Sequence, residues 1–146
     1  MDFEVKRAEL GDDKKLMELE ARCFRIKYER NFIWFWKPFT QHAYVYKAIF
    51  DKKIVGGILA FPTKHPGTIY IESIFVDSKF RDHGVATRLI EKVSKHAGCR
   101  ELILDTMPGW KNAVNLYRKQ GFRVVKKLKN YYEDGTDRVL MVKRLR

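Results

Sequence analysis

The segment of residues 69–97 constrains the fold of this chain more than any other part of the sequence. Residues 69–76 are rich in β-branched and aromatic side chains, a composition typical of a strand. Apolar residues then recur at helical spacing, at Val85, Leu89, Ile90, Val93 and Ala97. The sequence therefore predicts a strand, a short loop that contains Gly84, and a helix that begins close to this glycine.

A loop of this kind can hold a phosphate group. The first N–H groups of a helix have no partner within the helix, and the helix dipole adds partial positive charge at the same end. Gly84 lets the main chain approach an anion closely, and Ala86 is small enough not to block it. A plain tight turn would explain residues 81–86 equally well, so this segment alone leaves both interpretations open. The chain contains neither G-x-G-x-x-G nor G-x-x-x-x-G-K-[ST], which excludes the dinucleotide fingerprint and the P-loop.

A resemblance to a known family favours the phosphate interpretation. The run Arg81-x-x-Gly84-x-Ala86 resembles the [QR]-x-x-G-x-[GA] signature of the GNAT superfamily, the GCN5-related N-acetyltransferases. A second block resembles the family's later motif, a strand followed by a helix that ends in A-x-x-L-Y-x-x-x-G-F. Here that block consists of Leu104, Asp105, Thr106, Ala113, Leu116, Tyr117, Gly121 and Phe122. The two motifs occur in the family's order, and the likeness covers about the whole chain, with residues 1–64 matching in pattern only.

One position departs from the family's pattern. Many members carry an asparagine seven residues before the helix tyrosine, and this chain has Trp110 there. Other branches of the family also lack the asparagine, so the expected fold is unchanged. The departure leaves open a side-chain contact to the cofactor from that position.

The resemblance implies an α/β fold, with a mixed, mostly antiparallel sheet of six to seven strands flanked by about four helices. At 146 residues, with 45% hydrophobic and 33% charged residues, the chain suits one globular domain, residues 1–146. The patterns predict strands at residues 3–9, 43–50, 54–61, 69–76, 101–106, 122–132 and 137–145. Helices are predicted from a cap at Asp12 or Asp13, from Gly84, and at residues 110–120.

The resemblance also implies acetyl-CoA as the cosubstrate. In GNAT proteins the strand before the phosphate loop separates from the strand after the helix, and the pantetheine arm lies in that gap. By position, the main chain of Ile74 and Val76 should pair with the arm, and the Ile74 N–H should stabilise the oxyanion of the thioester. The backbone of residues 83–87 and the Arg81 side chain should bind the pyrophosphate. The residues expected to contact the cofactor are Ile74, Phe75, Val76, Arg81, Asp82, His83, Gly84, Val85, Ala86 and Thr87.

Acetyl transfer to an amine requires an acid that protonates the departing CoA thiolate. Tyr117 matches the family's helix tyrosine, which lies near the CoA sulfur, and is the predicted acid. A packed aromatic side chain is the alternative interpretation of Tyr117.

The acceptor amine must lose a proton, and Glu72 is the predicted base. It is the only ionisable residue of the predicted strand besides Tyr70, and it shares one strand face with Tyr70 and Ile74. A carboxylate that forms an ion pair or only orients the amine is the alternative. His83 lies at the phosphates, out of reach of the acetyl group. No metal site is expected, because the histidines have no metal-ligand spacing with cysteines or carboxylates.

A dense aromatic segment, Tyr28, Phe32, Trp34, Phe35, Trp36 and Phe39, falls where the family builds one wall of its acceptor site. The side chains of Tyr131 and Tyr132 could form the opposite wall. Core packing or a subunit contact explains such aromatic density equally well, so a homodimer is also possible.

The formal net charge of +12 suits an anionic cosubstrate and would also permit binding to RNA. The basic residues are spread along the chain, so a solvated basic surface is favoured over a nucleic-acid site. With no signal-peptide pattern and no apolar run that spans a bilayer, a cytoplasmic location is expected and membrane attachment is not. The predicted function is therefore direct acetyl transfer from acetyl-CoA to a primary amine. The alternative is a non-catalytic module that binds acyl-CoA or RNA.

Overall fold

The computed structural model describes residues 2–25 and 32–145, without the side chains of residues 32–34. The described strands are β1 (Glu4–Arg7), β2 (Tyr44–Phe50), β3 (Lys53–Pro62), β4 (Thr68–Val76), β5 (Glu101–Thr106), β6 (Arg123–Leu128) and β7 (Arg138–Arg144). The described helices are α1 (Asp13–Phe24), α2 (Phe32–His42), α3 (Val85–Ser94) and α4 (Lys111–Lys119). The strands form one mixed, mostly antiparallel sheet in the order β1-β2-β3-β4-β5-β7-β6, which confirms the predicted fold class.

The chain forms two compact units. Unit 1 comprises Met1–Phe61 and Glu72–His96, and unit 2 comprises Pro62–Ile71 and Ala97–Arg146, so β4 contributes residues to both. In unit 2 the parallel pairing of β4 with β5 runs from Thr68↔Glu101 to Tyr70↔Ile103. Both strands continue beyond the last of these pairs.

The core of unit 1 packs α1 and α2 against the sheet. Leu16, Leu19, Trp36 and Phe75 are all at most 3% exposed in this cluster. Gly57 on β3 makes the close packing possible, because a Cβ there would lie 2.6 Å from the Phe75 ring and 2.9 Å from Leu16.

Helix α3 begins where the sequence predicts. Its apolar face, Val85, Leu89, Ile90 and Val93, is fully buried in unit 1. The helix ends at Ser94, so the predicted apolar position Ala97 lies beyond it and is exposed.

The sheet of unit 2 has one buried face and one half-exposed face. On β5, Leu102, Leu104 and Thr106 are buried, whereas Glu101, Ile103 and Asp105 are only partly buried. The same two faces extend onto strand β7. Leu140 pairs with Asp105 and lies on the half-exposed face, and Val139 pairs with Thr106 and lies on the buried face. Period-two geometry therefore sets Asp105 on the half-exposed face, together with Leu140 of β7.

Two predicted elements need correction. The strand predicted at residues 122–132 ends at Leu128, and a loop of residues 129–137 follows, because Asn130 and Gly135 take positive φ angles of 47° and 79°. Asp12 does precede α1, but its carboxylate accepts hydrogen bonds from Glu9 N–H and Lys47 Nζ and makes no bond to the helix.

Candidate active site

The predicted phosphate loop takes the conformation that exposes a helix end. Gly84 immediately precedes α3 with φ 81° and ψ 13°, a left-handed conformation that favours glycine. The first bond of the helical ladder runs from Arg88 N–H to Gly84 O, so the amides just before Arg88 precede the ladder. A Cβ on Gly84 would meet no atom within 4 Å, which means that the space beside the loop is open. Residues 81–84 are all exposed, so an anion can reach this end of the helix.

Arg81 contacts the end of β4. Its Nε donates a hydrogen bond of 3.3 Å to the Val76 carbonyl, which also accepts one of 3.4 Å from Cys23 Sγ. Burial raises the pKa of the Cys23 thiol, and the positive charge of Arg81 opposes this rise. The Val76 carbonyl, predicted to bind the cofactor's pantetheine arm, thus already accepts two bonds within unit 1.

The middle of β4 is fixed from the α1 side. Ile74 and Phe75 are buried, and the hydroxyl of Ser73 donates a hydrogen bond to the Glu20 carboxylate on α1. Burial raises the pKa of Glu20, and its hydrogen bonds to Ser73 and Trp36 oppose the shift. These contacts hold β4 on both sides of Ile74, whose N–H is the predicted oxyanion donor.

Tyr117 lies on α4 in unit 2, where its ring packs edge-on against Phe122 at 5.9 Å between centroids. Burial raises the pKa of Tyr117 to about 12. The phenol is therefore protonated at every ordinary pH, which suits a proton donor and excludes Tyr117 as a base at neutral pH.

A carboxylate held by two tyrosines lies on the half-exposed face of unit 2. The hydroxyl of Tyr70 on β4 donates to Asp105 Oδ2, and the hydroxyl of Tyr132 donates to Asp105 Oδ1 at 3.2 Å. In the sequence, Asp105 was noted only as part of the second motif, and no role was predicted for it. The available signal was the alternation of β5, which sets Asp105 on the opposite face from Leu104 and Thr106.

The other predicted catalytic carboxylate, Glu72, lies on β4 in unit 1 and is exposed. It is two residues from Tyr70 along the strand, so the two side chains leave the same face of β4. Its role as base stays a prediction.

The loop that carries Tyr131 and Tyr132 is closed by its own hydrogen bonds. The Tyr131 N–H donates to Thr136 O at 3.0 Å, and the Gly135 N–H donates to Tyr132 O at 2.9 Å. The two tyrosine rings pack edge to face at 5.0 Å and are 54% and 41% exposed. They are thus accessible, as a wall of an acceptor site requires.

The aromatic residues before β2 differ in burial: some belong to the core and some are exposed. Tyr28 lies outside the described residues, as do the side chains of Phe32 and Trp34. Trp36 belongs to the core, and Phe39 stacks on Phe61 at 5.9 Å. Phe35 is 50% exposed and packs edge-on against Phe39.

Within the described part of the chain, no three histidine, cysteine or carboxylate side chains are grouped so that they could hold a metal ion. None of the described helices is long and apolar enough to span a membrane.

Comparison with known proteins identifies the family. The family model described as "Acetyltransferase (GNAT) family" matches residues 14–122. The chain belongs to the GNAT acetyltransferase family. An uncharacterized N-acetyltransferase of Methanocaldococcus jannaschii is 31% identical to this GNAT chain over 145 residues, covering 96% of it and 90% of that protein. An N-alpha-acetyltransferase of Sulfurisphaera tokodaii is 28% identical over an alignment of 159 residues, covering 96% and 92%.

A solved structure agrees with the fold. The GNAT family acetyltransferase of Elizabethkingia anophelis, solved with acetyl-CoA bound, matches this GNAT chain with a TM-score of 0.78 and 21% identity over 98% of both chains. The predicted family, fold class and N-acetyltransferase class are therefore confirmed. The alternative of a non-catalytic module gains no support from these comparisons.

Proposed function

We propose that this GNAT chain transfers the acetyl group of acetyl-CoA to the α-amino group at the N-terminus of a peptide or protein. The observation that supports this most directly is the Asp105 carboxylate, which accepts hydrogen bonds from Tyr70 and Tyr132. A carboxylate fixed in this way can attract an ammonium group and accept its proton. The similarity to an N-alpha-acetyltransferase over more than nine-tenths of both chains supports the α-amino acceptor.

The proton chemistry also favours an α-amino group over a lysine side chain. The ordinary pKa is about 8 for an α-amino group and about 10.4 for lysine. At pH 7, removal of the proton thus costs about 1 kcal/mol for the former and about 5 kcal/mol for the latter. An α-amino acceptor therefore demands much less of a carboxylate base.

Unit 1 supplies the groups that would bind acetyl-CoA. The pyrophosphate would lie at the exposed end of α3, against the amides that precede the helical ladder and the Arg81 side chain. The Ile74 N–H would donate to the thioester oxygen. We expect Ile74 to contribute more to pantetheine binding than Val76, whose carbonyl accepts bonds from Cys23 and Arg81.

Tyr117 and Asp105 would carry the two proton transfers. The acceptor ammonium gives a proton to Asp105, and the neutral nitrogen attacks the thioester carbonyl carbon. The nitrogen of the tetrahedral intermediate then loses its second proton to solvent, the intermediate collapses with cleavage of the C–S bond, and Tyr117 donates its proton to the thiolate. Solvent returns a proton to Tyr117, and Asp105 releases its proton to solvent. Glu72 would hold the positive charge of the acceptor, or replace Asp105 as the base.

Three further predictions belong to this proposal. Residues 1–146 would act as a single acetyltransferase domain. A cytoplasmic location and a homodimer are the expectations for its setting, and both stay predictions.

The test uses two peptides of the same sequence with one internal lysine. One has a free N-terminus and a blocked lysine, and the other has a blocked N-terminus and a free lysine. Thiol release and mass spectrometry should report acetylation of the first peptide only. Acetylation of the lysine peptide alone would contradict the α-amino assignment.

Variants identify the base. Asp105→Asn should lower kcat by roughly 100-fold or more, the range of general-base catalysis. Asp51→Asn, in the exposed β2–β3 turn where φ is 49°, is the matched control because asparagine suits the same conformation. Full activity of Asp105→Asn combined with loss in Glu72→Gln would move the base to Glu72.

A further inference from the structure

Arg138 is a charged residue that the proposed reaction does not use. It begins β7, and its guanidinium carbon lies 4.6 Å from the centroid of the Tyr132 ring. Its Nε is buried without a hydrogen-bond partner, and no ion pair joins it to a carboxylate among the described residues. A buried donor that lacks a partner is destabilising, so its presence requires an explanation.

The strand register sets Arg138 beside the Asp105 carboxylate. Asp105 pairs with Leu140, two residues after Arg138, so Arg138 and Leu140 leave the same face of unit 2 as Asp105. Arg138 and Asp105 are thus diagonal neighbours, with α-carbons about 7–8 Å apart. Tyr132 contacts both residues, since its ring lies under the guanidinium and its hydroxyl donates to Asp105.

The nearest carboxylates in sequence are engaged within the loop. Asp134 accepts bonds from the Thr136 N–H at 2.9 Å and the Thr136 hydroxyl at 2.7 Å. Asp137 accepts a bond of 2.9 Å from the Asn130 N–H. The hydrogen bonds from Thr136 are the main cause of the lowered pKa of Asp134, and the positive charge of Arg138 adds to this effect. Arg138 nevertheless forms no ion pair with Asp134. The two terminal nitrogens of the guanidinium, rather than the buried Nε, would therefore be the groups that bind a ligand.

We propose that Arg138 determines acceptor specificity by binding a carboxylate of the acceptor, so that peptides with Asp or Glu as their second residue are preferred. This inference rests on the proposed function. The Tyr132 side chain separates the two groups, because its hydroxyl lies 3.2 Å from Asp105 Oδ1 and its ring centroid lies 4.6 Å from the Arg138 guanidinium carbon. An acceptor amine at Asp105 and a group at Arg138 would thus be separated by roughly two residues of extended chain. A side chain on the second residue spans this distance, whereas the α-carboxylate of a free amino acid is too close to its own amine. Arginine also suits carboxylates, which it binds with two parallel hydrogen bonds.

The experiment compares two N-terminally free peptides that differ only in Glu or Gln at the second residue. Wild-type enzyme should acetylate the Glu peptide with about tenfold higher kcat/KM, mainly through a lower KM, as expected for one charge-assisted hydrogen bond. Arg138→Gln should abolish the preference, and Arg138→Lys should retain part of it. Arg138→Glu should favour a Lys peptide. Arg123→Gln, an exposed arginine on the neighbouring strand, should leave the preference intact.

The possible failures are distinguishable. Equal rates for the Glu and Gln peptides with wild-type enzyme, or a preference that survives in Arg138→Gln, would overturn this inference and leave the proposed function standing. The wild-type comparison needs no variant, so a folding defect in Arg138→Gln cannot obscure the result. Free glutamate and a peptide with Glu at the fourth residue should be poor acceptors, and preference for either also overturns the inference. If no N-terminal peptide is acetylated, the proposed function itself fails, and this inference with it.

Discussion

The buried carboxylate of Glu20 on α1 accepts a hydrogen bond from the hydroxyl of Ser73 on β4. Ser73 lies next to Ile74, the proposed oxyanion donor, and Trp36 of α2 also hydrogen-bonds to Glu20. One carboxyl group therefore joins α1, α2 and β4 within unit 1.

Glu20→Gln should stabilise the protein increasingly as the pH rises above the ordinary glutamate pKa of 4.5. Burial raises the pKa of Glu20 above its ordinary value of 4.5, so the folded state binds the proton more tightly than the unfolded state does. Stability from this group is present below the unfolded pKa and is lost as the pH rises through the folded pKa. Urea unfolding at several pH values measures the effect. Glu18→Gln is the control, because Glu18 is exposed on the same helix. If the free energy of unfolding of Glu20→Gln differs from that of the wild type by the same amount at every pH, the prediction is wrong.

Tyr117→Phe should lower kcat by about 100-fold or more with little change in KM, because the thiolate loses its acid. Since the pKa of Tyr117 is about 12, the wild-type phenol keeps its proton well into the alkaline range. The ratio of wild-type to variant kcat should therefore be constant between about pH 7 and 10. Tyr44→Phe in unit 1 should have little effect on kcat. An unchanged kcat in Tyr117→Phe would show that Tyr117 is not the acid.

Gly84→Glu should weaken CoA binding by tenfold or more in isothermal titration calorimetry. The carboxylate adds negative charge at the end of α3, and the left-handed backbone costs any such residue about 1–2 kcal/mol of stability. Gly98→Glu is a matched control, because Gly98 also has positive φ, 76°, and open space around its Cβ position. The two variants should lose similar stability, and only Gly84→Glu should lose affinity. Equal affinity in both would exclude the loop as the phosphate site.

Gly57→Ala should destabilise the protein by about 1–3 kcal/mol, the usual cost of overpacking a core. The added methyl group would lie 2.6 Å from Phe75, so the ring must move. Gly109→Ala introduces the same group where no atom lies within 4 Å and should change stability little. Thermal unfolding of both variants provides the measurement, and equal melting temperatures would count against close packing at Gly57.

The strand, loop and helix around Gly84 could be predicted from sequence because their signals are local. A strand pattern, Gly84 and a helical pattern lie within one short segment, and each requires only neighbouring residues. Helix α2 was not predicted as a helix, since Pro38 lies inside it and its aromatic residues have low helix propensity. Its burial of Trp36 outweighs those local preferences.

The hydrogen bonds of Asp105 could not be predicted, because they depend on pairing between distant segments. Tyr70 and Tyr132 are 35 and 27 residues from Asp105 in sequence, and only the register of β4, β5 and β7 brings the three together. Tyr132 was also predicted to lie on a strand. The wide loop that carries it requires the positive φ angles at Asn130 and Gly135.

The internal bonds of the loop at residues 129–137 have a thermodynamic consequence. Asp134 and Asp137 already restrain the main chain around Tyr132, so a ligand would not have to order this segment when it arrives. Association would then lose little conformational entropy in the enzyme, and the proposed peptide acceptors would need fewer contacts than a mobile loop would demand. Differences in affinity between acceptors should accordingly come from their dissociation rates more than from their association rates.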